Sequence, residues 1–135
     1  MTSPANTDLL AQLQQLTAGL HFVTEADAPL EAVSYPAPGG ELPGPDLLRT
    51  LGEPADAPVQ VSSLAEFLRY HTDPAGVLDS PELATRYQAL QAFMQEHLAP
   101  VQVYRVGSEP RLHAYALGQL PDGQLTGFKT VLTQT

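Results

Sequence analysis

The chain contains no cysteine and no tryptophan, and it sets only six lysines and arginines against fifteen aspartates and glutamates. The missing thiols exclude disulfides, thiolate nucleophiles and cysteine-ligated metals. The shortage of cations, with a formal net charge of −9, argues against direct nucleic-acid binding, because like charge repels phosphate. No stretch approaches the roughly 18 consecutive apolar residues of a membrane-spanning helix. The opening MTSPANTD has neither the basic nor the apolar segment of an export signal. These absences predict a soluble, cytoplasmic protein that touches neither membrane nor nucleic acid directly.

What is present is 135 residues with 43% hydrophobic content, enough for one domain over 1–135 with a core that needs no covalent staples. The acidity is local. Residues 25–66 hold eight acids (Glu25, Asp27, Glu31, Glu41, Asp46, Glu53, Asp56 and Glu66) against Arg49 alone. Such a stretch either keeps a surface solvated or attracts and orients a basic partner.

The apolar spacing of Leu9, Leu10, Leu13, Leu16 and Leu20 predicts an amphipathic helix capped by Thr7 and ended near Gly19. His21-Phe22-Val23 and Leu30–Tyr35 read as strands, joined by an acidic tight connection over Thr24–Pro29. Residues 36–45, rich in proline and glycine, form a loop. A short helix follows from Pro45 to its stop at Gly52, then a brief strand at Val59-Gln60-Val61. Ser63-Leu64-Ala65-Glu66 matches a capping box opening a helix that turns Leu64, Phe67, Leu68 and His71 inward. The longest helix runs from Ser80 and Pro81 along Leu83, Tyr87, Leu90, Met94 and Leu98. From Val101 the period falls to two, in VQVYRV, RLHAYAL and LTGFKTVLTQT, which predicts an antiparallel three-strand meander. The fold class is α+β, a mainly antiparallel sheet of four to six strands with helices packed against it.

Four histidines, His21, His71, His97 and His113, show no i, i+4 pairing of a zinc site, so neither a metal of the protein's own nor a cofactor is expected. His71 and His97 fall on or beside apolar helix faces, as boundary histidines do. His113 alternates with Arg111 and Tyr115 along one strand face. Nucleophile elbows, phosphate loops and calcium loops are all missing. Glu25 and Asp27 form a pair of loop acids, which more often serve solubility than acid–base chemistry. An enzyme built on Glu25, Asp27 and His113 would need those groups to converge in one pocket.

Read together, LLAQLQQLTAGL, HFVTEADAPLEAV, the DAPVQV-to-EFL segment, QVYRVG and LPDGQLTGFKTVLTQT resemble the nuclease A inhibitor family, small acidic bacterial proteins that block a sugar-non-specific, magnesium-dependent DNA/RNA endonuclease. The resemblance spans nearly the whole chain. It implies an α/β/α sandwich with a central sheet, acting as a protein inhibitor rather than an enzyme, monomeric when free, with a metal-dependent nuclease as partner. It further implies that Glu25 and Thr135 approach the partner's metal centre, with Thr24 beside them and Asp27 and Glu31 as electrostatic support. Carboxylate, hydroxyl and terminal oxygens are hard ligands suited to Mg²⁺. Where the family's turn has aromatics on both sides of its proline, this chain has Ala28 and Leu30, and thus lacks the expected anchors. The alternative reading is an acidic interaction module of the same fold with a different basic partner.

Overall fold

The computed structural model describes residues 4–23, 27–36, 45–54, 56–72, 81–98, 101–108, 111–120 and 123–133. Helix α1 (Pro4–Thr17) leads to a hairpin of β1 (His21–Val23) and β2 (Asp27–Pro29), then β3 (Glu31–Tyr35) and α2 (Pro45–Leu51). Strand β4 (Val59–Ser63) runs straight into the single turns α3 (Leu64–Phe67) and α4 (Arg69–Thr72). Helix α5 (Pro81–His97) precedes the meander β5 (Val101–Ser108), β6 (Arg111–Gln119) and β7 (Leu125–Thr133). No helix among the described residues is long and apolar enough to cross a membrane.

The main sheet is antiparallel with strand order β3-β7-β6-β5-β4, and β1-β2 forms a separate two-stranded sheet. Strand alternation sends residues to two faces, and each face meets its own helical layer. On one, Val103, Ala114, Ala116, Phe128 and Leu132 pack with Leu13 and Leu20 and with Tyr87, Leu90, Met94 and Leu98 of the α5 segment. On the other, α2 lays Leu47, Leu48 and Leu51 over Tyr104, Val106, Tyr115, Leu117 and Leu125. Each fully buried leucine stabilises the fold by roughly 1.5–3 kcal/mol relative to exposure. The result is the expected α/β/α sandwich.

Close packing of the α5 layer depends on one glycine. A Cβ at Gly118 would run into the backbone of Leu98, so the end of the long helix can settle on β6 only where no side chain stands. The same layer secures neighbouring elements. The Tyr87 hydroxyl donates to the His21 carbonyl at 2.5 Å, and the Arg86 guanidinium donates to the Ala18 carbonyl at 2.7 Å, just past the end of α1.

Several expectations need correction. Thr7 lies inside α1 rather than at its cap, because the helix begins at Pro4, a residue suited to a first turn. The connection after Val23 holds a strand of its own, with Val23 opposite Asp27, Phe22 opposite Ala28 and His21 opposite Pro29. His71 is core rather than boundary, 3% exposed. At Ser63 the cap forms as expected, its hydroxyl accepting from the Glu66 amide at 3.1 Å. The Ser80 cap, most of the 36–45 loop and parts of the meander turns lie outside the described residues.

Candidate partner-binding groove

Gly52 creates the site's first wall. Its φ of +79° ends α2 in a Schellman turn, with the Gly52 amide on the Arg49 carbonyl at 3.1 Å and the Glu53 amide on the Leu48 carbonyl at 2.8 Å. The chain is thereby turned so that Glu53 reaches β6. One carboxylate oxygen, Oε2, accepts the Tyr115 hydroxyl at 2.5 Å and lies 2.6 Å from His113 Nδ1. A carboxylate oxygen accepts, so Nδ1 carries the proton of this contact. The Glu53 side chain is only 11% exposed while that of His113 is 46% exposed, so the pair joins a covered carboxylate to an open imidazole. Burial first, then the Glu53 hydrogen bond and charge, push the Tyr115 hydroxyl far above the ordinary phenol range. Tyr35, across the face on β3, is also raised, by burial and then by the charges of Glu31 and Glu53.

These residues border a groove of about 360 Å³ lined by α2's end, β6, β7 and the hairpin. Ala28 and Pro29 form the hairpin side, Leu51 and Val131 supply apolar walls, and Glu31 and Lys129 stand at the β3–β7 edge. Glu31 and Lys129 are opposite each other in register and 3.7 Å apart as an exposed ion pair, of a kind that contributes little to stability. The Thr130 hydroxyl donates to the Ala28 carbonyl at 3.4 Å, holding the hairpin alongside β7.

Of the residues expected at the site, Glu31 lies on this groove, and Asp27 opens β2 at the hairpin that borders it. Thr24, Glu25 and Thr135 lie outside the described residues. Among the described residues, the acids of this stretch do not form one continuous face. Asp46 pairs with Arg49 within α2, Glu53 is drawn into the groove, and Glu66 sits on α3 beside β4, at the opposite sheet edge from Glu31. Four strand spacings separate those edges, roughly 19 Å. Leu30 is 6% exposed within the α5-side core, so its missing aromatic bulk concerns packing, whereas Ala28 does border the groove.

The Glu53–His113–Tyr115 cluster was not assembled from sequence. Its only signal was the alternation of His113 with Tyr115, since Glu53 lies sixty residues away. No group of three or more His, Asp or Glu side chains among the described residues could hold a metal ion.

An antiparallel sheet between two helical layers, with a hairpin set against its last strand, defines a small α/β/α sandwich with a mixed-charge groove. The chain belongs to the nuclease A inhibitor-like protein family, whose model matches residues 7–135, nearly its full length. No curated protein sequence matches it.

Proposed function

We propose that this protein inhibits a sugar-non-specific, magnesium-dependent DNA/RNA endonuclease by direct binding and is not itself an enzyme. Glu25 and Thr135 present hard oxygens to the nuclease's metal centre, with Thr24 beside them, while Asp27 and Glu31 favour its basic cleft. Family membership supports the class of target. The observation that carries the site is the tie between Thr130 and Ala28, which sets the base of the hairpin beside the final strand. Glu25 is three residues before Ala28 and Thr135 five after Thr130. In sequence, therefore, both lie close to elements that the structure sets side by side, which supports reading them as one contact region.

Degradation of plasmid DNA by such a nuclease, titrated with the protein, tests this directly. Inhibition near one-to-one is expected, weakened at least about tenfold, roughly 1.4 kcal/mol, by Glu25→Ala or by deletion of Thr135. Full nuclease activity at micromolar excess of the wild-type protein would overturn the proposal and leave a different basic partner for the same surface.

A further inference from the structure

Resting on the reading of this end of the molecule as a partner-binding surface, we propose that the groove receives one arginine side chain of the partner. Its walls carry two carboxylates, Glu31 and Glu53, against one ammonium, Lys129, which favours a cation. Glu53 commits Oε2 to Tyr115 and His113, and neither of those contacts uses Oε1, so Oε1 and the Glu31 carboxylate offer acceptors to a guanidinium.

An arginine matches this arrangement better than a lysine. Its planar fork of N–H donors can bridge separated acceptors, where an ammonium is a compact point charge. Its methylene stem needs an apolar bed, which Leu51, Val131, Pro29 and Ala28 provide. Lys129 is the competing cation. Being 43% exposed on a flexible stem and only 3.7 Å from Glu31, it can yield that carboxylate to an incoming guanidinium at small cost. An arginine seated here would fix the rotation of the partner about the hairpin contact, a specificity element separate from the metal-directed residues.

The test uses the whole protein, isotopically labelled, titrated with N-acetyl-arginine amide and with N-acetyl-norleucine amide while His113, Tyr115 and Val131 resonances are followed. Saturable shifts are expected with the arginine probe only. Glu31→Gln should weaken its binding about threefold or more, Lys129→Met should strengthen it, and Ala28→Phe should abolish it by filling the groove with thermal stability retained. Absence of saturable shifts, or equal binding by wild type, Glu31→Gln and Ala28→Phe, overturns the inference. The two proposals fail separately. A protein that protects plasmid DNA yet ignores the arginine probe refutes only the groove, and one that binds the probe saturably without protecting DNA refutes only the nuclease target.

Discussion

His71 lies flat against Phe22, their ring centroids 4.1 Å apart and their planes 14° from parallel. Phe22 stacks in turn on Phe67 at 4.5 Å, and His71 also meets the Tyr87 ring at 5.1 Å. An aromatic stack thus joins the root of the β1–β2 hairpin to α3, α4 and α5. Strand β1 is therefore mounted on the core.

This stack makes stability acid-sensitive. Burial lowers the His71 pKa from its ordinary 6.5 to about 4, so between those values the unfolded chain binds a proton that the native state refuses. Stability is full above pH 6.5 and falls as pH drops toward 4, by about 2 kcal/mol between pH 6.5 and 5. Urea unfolding at a series of pH values should show this slope in wild type and its loss in His71→Leu. Equal slopes in the two proteins would refute it.

The Tyr115–Glu53 hydrogen bond holds the end of α2 on the sheet. Tyr115→Phe removes a donor from a mostly covered carboxylate and should lower stability by about 1–3 kcal/mol. His113→Ala should cost less, because that ring is nearly half exposed and solvent can replace it. Chemical denaturation of the two variants gives the ranking, and a costlier His113→Ala would contradict it.

Gly118→Ala should be among the most damaging single-methyl changes in the chain. The added Cβ meets backbone rather than a yielding side chain, so β6 and the end of α5 must part. A loss of about 3 kcal/mol or failure to fold is expected, measured by thermal unfolding. A melting temperature within a few degrees of wild type would show that the two elements separate freely.

Asp27 should act on encounter more than on residence. Asp27→Asn is expected to lower the association rate with a basic nuclease and to flatten its dependence on salt, as loss of a steering charge does. Stopped-flow binding at two ionic strengths checks this. A change confined to dissociation would contradict the steering role.

The helices and the meander were legible because their apolar periods are long and end in recognisable signals. The 3.6-residue period through Tyr87, Leu90 and Met94 and the Ser63 cap needed no tertiary information. Strand β2 was missed because three residues, Asp-Ala-Pro, carry no alternation and are strand only by pairing with β1. His71 was placed at a boundary because a helical face is visible in sequence while the depth of the surface it meets is not.

The sequence by itself determined the absence of thiol chemistry, the excess of acid, the two periodicities and the α+β class, all properties of composition or of neighbours a few residues apart. Tertiary structure decided which charges meet. It separated Glu66 from Glu31 across the sheet, brought Glu53 to His113 and Tyr115 over sixty intervening positions, and set Ala28 beside Thr130. The reason is that strand order and helix layering act over distances on which sequence proximity carries no information. A charge's neighbours are then fixed by packing, not by the residues that precede it.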